Sequence, residues 1–189
     1  MRLLIASDIH GSAYFCRKLL EAYDRENAQR MILLGDILYH GPRNDLPMEY
    51  APKEVIRMLN ERKQDIYAVR GNCEAEVDQM VLDFPVLADY MLLFEKSGDG
   101  GSADREVAVY ATHGHVYNEK KLPTMNPGDV LLHGHTHILR ADRVDGIWIL
   151  NPGSVSLPKE GNPPTYAVLE NGVFTIKELD GKTVKEVAV

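Results

Sequence analysis

An α/β fold with two sheets is what this sequence predicts, and three observations carry the prediction. Apolar strand-like runs alternate with amphipathic helices through the first half, and the second half is dominated by strand-like runs. The residues suited to chemistry stand directly after those runs, where strand ends meet in an α/β sheet. With 189 residues the chain is long enough for a substantial core, and residues 1–189 are expected to form one domain.

Arg2 to Ser7 reads as a buried strand. Ser12 caps the following helix, in which Phe15, Leu19, Ala22 and Tyr23 recur at helical spacing. Arg30 to Leu34 is a second buried strand ending in Gly35-Asp36, and Asp65 to Val69 a third ending in Gly71-Asn72. Between them lie a Pro/Gly-rich loop, Gly41 to Pro52, and a helix through Val55, Ile56 and Leu59 with Pro52 in its first turn. This alternation implies a parallel or mixed sheet joined by right-handed crossovers. Further strands are expected over Tyr90 to Glu95, Glu106 to Thr112, Val130 to His133, Ile138 to Val144 and Ile147 to Leu150. Asn171-Gly172 is a strong turn signal joining Thr165 to Glu170 with Val173 to Leu179, and Asp180-Gly181 repeats that chemistry before a last strand. The polar, Gly-rich stretch Ser97 to Asp104 reads as a hairpin tip.

Composition narrows the function classes. A hydrophobic content of 44% with 26% charged residues belongs to an ordinary globular chain. The net charge of −7 makes long nucleic acid a poor partner, whereas bound cations still permit a small phosphorylated ligand. Cys16 and Cys73 are the two cysteines and form no CxxC, which argues against a disulfide framework or a thiolate zinc site. The N-terminal apolar run is too short for a signal peptide and no stretch is long enough to span a bilayer, so a cytoplasmic location without membrane association is expected.

The candidate site residues are Asp8, His10, Asp36, Asn72, His113, His135 and His137. In an extended segment, residues two apart project to one side, so Asp8 and His10 are expected to grip one ion and His135 and His137 another. Asp36 stands alone between the two pairs and is the best bridge for ions roughly 3.5–4 Å apart. Imidazole, carboxylate and amide oxygen together suit Mn, Fe, Co, Ni or Zn. Two divalent ions, offset by Asp8, Asp36 and a bridging hydroxide, leave a net positive charge that attracts an anionic phosphate ester.

Asp8-Ile9-His10, Gly35-Asp36, Gly71-Asn72, His113-Gly114 and Gly134-His135-Thr136-His137 together resemble the calcineurin-like metallophosphoesterase family, in its order and across almost the whole chain. The resemblance implies a four-layer α/β/β/α sandwich of two mixed sheets and a binuclear site activated by Mn²⁺, with Zn²⁺, Fe²⁺, Ni²⁺ or Co²⁺ as alternatives. Asp8, His10, Asp36 and His137 would hold one ion, and Asp36, Asn72, His113 and His135 the other. It further implies in-line attack of a metal-bridging hydroxide on a small phosphodiester, with Asp36, Asn72, Cys73 and His113 at the reacting centre. Relatives commonly form homo-oligomers, so a dimer or higher form is expected. Many relatives place a histidine where this chain has Cys73, and an Asp where it has Glu74. A thiol is a weak, uncharged donor, so activated or diester substrates are expected to be favoured over alkyl monoesters.

Taken singly, each histidine reads more simply as structural; their joint order and spacing favour ligation. His133 is expected to pack at its strand end, His115 to line or support the pocket, and His40 to support Asp36 from outside. Arg43 reads as an exposed loop residue near the bridge, Cys16 as core, Trp148 as core or oligomer interface, and Asn151 to Ser156 as a tight turn at the rim. The competing readings are a phosphomonoesterase or protein phosphatase of the same family, and a non-catalytic scaffold of this fold.

Overall fold

Three short apolar strands set the frame: β1 (Leu3–Ala6), β2 (Arg30–Leu33) and β3 (Ile66–Ala68) pair in parallel, as the strand–helix alternation requires. The computed structural model describes residues 1–96 and 106–189, so the hairpin tip expected over 97–104 lies outside the described residues. Between the strands run α1 (Ala13–Glu26) and α2 (Pro52–Asn60). Ser12 caps α1 by accepting the Phe15 N–H at 3.2 Å, and Asn27 ends it in the left-handed conformation. Pro52 opens α2, where no backbone donor is needed.

On the other side of β1 the first sheet continues antiparallel through β9 (Thr165–Glu170), β10 (Val173–Glu178) and β11 (Thr183–Ala188), giving the order β11-β10-β9-β1-β2-β3. The second sheet has the order β4-β5-β6-β8-β7, built from β4 (Tyr90–Lys96), β5 (Glu106–Thr112), β6 (Val130–Leu132), β7 (Arg140–Val144) and β8 (Ile147–Asn151). Its pairing is mixed: β5, β6 and β8 are parallel, and β4 and β7 are antiparallel edges. A short helix, α3 (Glu76–Gln79), follows β3 without a sequence signal of helical length.

Side-chain alternation along β1 shows why its run is apolar throughout. Leu4 and Ala6 pack with Leu19, Val55 and Leu59 of the helices, whereas Leu3 and Ile5 pack with Val109, Val130 and Leu132 of the second sheet. A strand covered on both faces has no polar side to show. The outer face of the second sheet, at Leu131, Ile147 and Ile149, is covered by Leu122 and Met125 from the β5–β6 connection. That connection carries no helix, so the outer layer on this side is loop among the described residues; Pro123, Pro127 and Gly128 interrupt any helical run. No helix among the described residues is long and apolar enough to cross a membrane.

Candidate metal centre

All seven candidate ligands meet at one rim, where the turns after the strands lie side by side. The Asp8 and His10 N–H groups donate to the Gly35 and Asp36 carbonyls at 3.1 and 2.9 Å, locking the β1 and β2 exits together. Gly35 (φ +92°) touches the Gly71 turn so closely that an added Cβ would lie 2.5 Å from the Gly71 nitrogen. A Cβ on Gly71 would in turn lie 2.2 Å from Asp36 Oδ1. Glycine is the residue that permits this backbone contact.

Asp8 and His10 fall in one group as the sequence suggests, but the extended backbone expected at both pairs is not found, and His135 and His137 part. Asp8, His10, Asp36, His135 and His137 all have positive φ, between 50° and 64°. Left-handed backbone at a non-glycine residue costs roughly 1 kcal/mol or more and persists where the surroundings enforce it. This geometry turns His135 and His137 toward different partners. Asp8, His10 and His137 form one group, and Asp36, His113 and His135 another, with candidate ligand atoms of each group within 4.8 Å of one another.

In the first group, Nε2 of His137 lies 3.3 Å from Nε2 of His10 and 3.2 Å from Asp8 Oδ1. In the second, Nε2 of His113 faces Asn72 Oδ1 at 3.1 Å, His135 Nδ1 at 3.2 Å and Asp36 Oδ1 at 3.5 Å. Asp36 reaches toward both: Oδ1 to His113, and Oδ2 to His10 Nε2 at 3.7 Å.

The outer bonds settle which ring nitrogens are available. Nδ1 of His10, His113 and His137 donates to the Tyr39, Leu34 and Leu157 carbonyls at 2.7, 2.6 and 2.6 Å. A neutral imidazole so bonded turns its Nε2 lone pair inward. Lone pairs and carboxylate oxygens then converge with few donors between them, and the buried Asp8 Oδ1 has no hydrogen-bond partner. Such a cluster is stable only around a cation or shared protons. Its nitrogen and oxygen donors fit first-row divalent ions.

Protonation follows the same logic. Burial disfavours charge on His113, but its Asp36 hydrogen bond and the Asp8 and Asp36 charges prevail and raise its pKa to about 9. Burial and the neighbouring His113 charge lower His135 to about 4, so the pair carries one proton at neutral pH. In the metal-free protein that proton contributes stability below pH 6.5, and the contribution is lost as pH rises through about 9. Divalent metal must displace it. Calorimetric titration with Mn²⁺ at pH 7, in buffers of different ionisation enthalpy, is therefore expected to register about one proton released per site pair, and affinity is expected to rise from pH 7 toward 9. A buffer-independent heat would show that His113 is already neutral.

Supporting residues include several that the sequence alone does not reveal. Glu74, 5% exposed, accepts the Asp36 and Gly71 N–H groups on Oε2 at 2.9 and 2.6 Å and the Ile37 N–H on Oε1 at 2.7 Å. Burial and the Asp36 charge raise its pKa against those three bonds. Ser154 and Ser156 donate to the Asp8 carbonyl at 2.9 and 3.0 Å, and Asn151 Nδ2 donates to Gly134 O at 2.8 Å. The tract from Asn151 to Ser156 thus braces two ligand turns at once. A signal for Glu74 was available in its place directly after Asn72-Cys73.

Cys73 lines the site cavity, its thiol donating to Asp36 Oδ2 at 3.3 Å and its N–H to Asp36 Oδ1 at 2.9 Å. Burial and the Asp36 charge push the thiol pKa up, so it is a neutral group. The cavity, about 410 Å³, is also lined by Arg43, Asn44 and Lys159. His115 is exposed with its ring 5.4 Å from that of His113, and His40 packs between Tyr39 and Tyr50. His133 is buried at the end of β6 with Nδ1 against Gly134 O at 3.1 Å.

Residues 1–172 match the family model described as the calcineurin-like phosphoesterase superfamily domain. The chain is 44% identical over 185 residues to phosphodiesterase YfcE of Escherichia coli K12, covering 97% of this chain and 95% of that protein. It is 26% identical over 190 residues to the probable metallophosphoesterase YsnB of Bacillus subtilis, covering 95% of this chain and 91% of YsnB. Its structure superposes on that of E. coli YfcE with a TM-score of 0.91 and 43% identity, covering 100% and 99% of the two chains. Vps29 of Entamoeba histolytica shares the fold at a TM-score of 0.59 and 21% identity, covering 100% and 99%. Three converging strand-end turns, candidate ligands drawn from both sheets and a family match over most of its length assign the chain to the calcineurin-like phosphoesterase superfamily.

Proposed function

We propose that this chain is a metal-dependent phosphodiesterase with a binuclear site. The observation that carries the reading is Asp36, whose two carboxylate oxygens face the two separate ligand groups. In this reading Asp8, His10 and His137 would hold one ion, Asn72, His113 and His135 would hold the other, and Asp36 would be shared between them. When bound, the ions supply Lewis-acid stabilisation of the phosphate and an activated water for in-line attack. The chain's own residues position the chemistry: the Tyr39, Leu34 and Leu157 carbonyls keep three Nε2 atoms turned inward, and Glu74 holds the Asp36 turn. The nitrogen and oxygen donors suit Mn, Fe, Co, Ni or Zn, and the family resemblance points to Mn²⁺ among them as the activating ion.

Cys73 decides the kind of ester. Its neutral thiol offers a weak hydrogen bond where an acid would protonate a leaving alkoxide, so the substrate must leave as a stabilised anion. Both cysteines are free, which agrees with a cytoplasmic protein. The core shared by the two sheets supports reading residues 1–189 as one domain, and a homo-oligomer remains part of the proposal.

Release of nitrophenolate from bis(p-nitrophenyl) phosphate tests the reading. Chelator is expected to lower turnover to background and Mn²⁺ to restore it, a change of about a thousandfold. No metal-stimulated turnover would leave the scaffold reading. In the same assay, Cys73→His is expected to raise the ratio of monoester to diester hydrolysis about tenfold or more; an unchanged ratio removes Cys73 from the account of specificity.

A further inference from the structure

Two cations beside the ligand groups have no part in the chemistry above. Arg43 and Lys159 come from different loops and line the same cavity as Asp36, Cys73 and His137. Each loop is tied to a histidine of the Asp8 group. Tyr39 O accepts His10 Nδ1 at 2.7 Å, and beyond it Asn44 closes the turn that carries Arg43, its N–H on Gly41 O at 3.2 Å and its amide on His40 O at 2.8 Å. Gly41 packs against the thiol, an added Cβ there lying 3.5 Å from Cys73 Sγ. On the other loop, Leu157 O accepts His137 Nδ1 at 2.6 Å and the Lys159 N–H donates to His137 O at 3.1 Å. Asn162 returns both its N–H and its amide to Lys159 O, at 3.1 and 2.8 Å. Backbone bonds therefore hold the loops that carry both cations beside the candidate ligands, while their exposed side chains keep the freedom to close on a ligand.

Charge makes the pair informative. The scissile group of a phosphodiester carries one negative charge, and the ligand groups with their ions already answer it. A guanidinium and an ammonium in addition exceed what a simple diester needs. They match a terminal phosphate, which carries roughly −1.5 to −2 at neutral pH, better than a singly charged carboxylate. Arginine presents its paired donors to phosphate oxygens, and lysine adds a mobile point charge. The cavity has room for more than the scissile group, about 410 Å³ being within the range of small-ligand sites. In a chain of net charge −7, a local pair of cations is also what draws a polyanion in.

We infer that Arg43 and Lys159 clamp a second phosphate on the substrate, so that the preferred class is a small phosphodiester bearing an additional terminal phosphate. The inference rests on the phosphodiesterase reading and names its substrate class.

Thymidine 5′-(p-nitrophenyl phosphate) and its 3′-phosphorylated counterpart differ only in that second phosphate. With Mn²⁺ at low ionic strength, kcat/KM is expected to be about tenfold higher for the 3′-phosphorylated probe. Arg43→Ala and Lys159→Ala are each expected to cut this ratio about threefold, and the double variant to bring it near unity. Calorimetric titration of the Mn²⁺-loaded protein with thymidine 3′,5′-bisphosphate and thymidine 5′-phosphate reads the same preference without turnover. A wild-type preference absent from both measurements, or one that the double variant retains, overturns the clamp while hydrolysis of the simple probe still supports the phosphodiesterase reading. A binding preference that the variants lose, with no nitrophenolate released from either probe, supports the clamp and overturns the catalytic reading.

Discussion

Asp36→Asn is expected to lower phosphodiester hydrolysis by about a thousandfold or more at saturating Mn²⁺. The amide keeps the shape of the side chain and can still accept from the Cys73 N–H, which bonds Oδ1 at 2.9 Å. It loses the negative charge that faces His113 on one side and His10 on the other. Both ligand groups weaken together, so calorimetry or elemental analysis is expected to find fewer than two tightly bound ions per chain. The metal-free fold is expected to lose a little stability: burial and the Asp8 charge raise the Asp36 pKa, but the His113 hydrogen bond and charge prevail and lower it, so the amide gives up a net favourable pairing. A metal-free melting temperature a few degrees below that of the wild type, with activity lost about a thousandfold, is the expected signature of a residue whose main part is functional. A variant that keeps two ions and a near-normal rate would remove Asp36 from the bridging position.

Glu74→Ala tests the support beneath that bridge, and the expected damage falls on stability first. Three buried N–H groups, of Asp36, Ile37 and Gly71, lose their acceptor at once. Leaving such donors unpaired costs about 1–3 kcal/mol each before relaxation, and a total of about 3–5 kcal/mol is expected. For a chain of this size that lowers the melting temperature by about 10 °C. The Asp36 turn would also lose its hold on a left-handed backbone, φ +53°, so the Mn²⁺ needed for half-maximal activity is expected to rise about 10–100-fold. Glu74→Gln keeps one carbonyl oxygen but sets its NH₂ against an N–H, and an intermediate result is expected on both scales. Thermal denaturation followed by circular dichroism and a Mn²⁺ activation curve decide the matter. An unchanged melting point and an unchanged Mn²⁺ requirement in Glu74→Ala would show that the turn stands without it.

Glu74 also marks where sequence reading stops. Strand positions were legible because β1, β2 and β6 are short apolar runs buried on both faces, and the elements fall within one or two residues of the expected bounds. Ser12, Pro52 and Asn171-Gly172 announced their local structure through chemistry that acts over a few residues. Helix α3 has four residues and no apolar periodicity, so nothing in the sequence marks it. The loop that covers the second sheet is equally silent, since Leu122 and Met125 show their use only once that sheet is beneath them.

What the sequence by itself determined was the set of candidate metal-ligating residue types and their order after the strands, together with the thiol at Cys73. Those are properties of residue identity, and the rim of a parallel sheet collects them whatever their separation in the chain. Residue spacing did not show how they divide; the family resemblance implied a division, and only the tertiary structure supplies its physical cause. Two residues apart in extended chain would make His135 and His137 partners, but left-handed backbone at φ +64° and +62° sends one to His113 and the other to His10. The braces behind them, from Glu74 and from Ser154 and Ser156, join residues 37 to 148 positions apart. Backbone handedness at a crowded turn is set by contacts from several segments at once, and no local pattern encodes it.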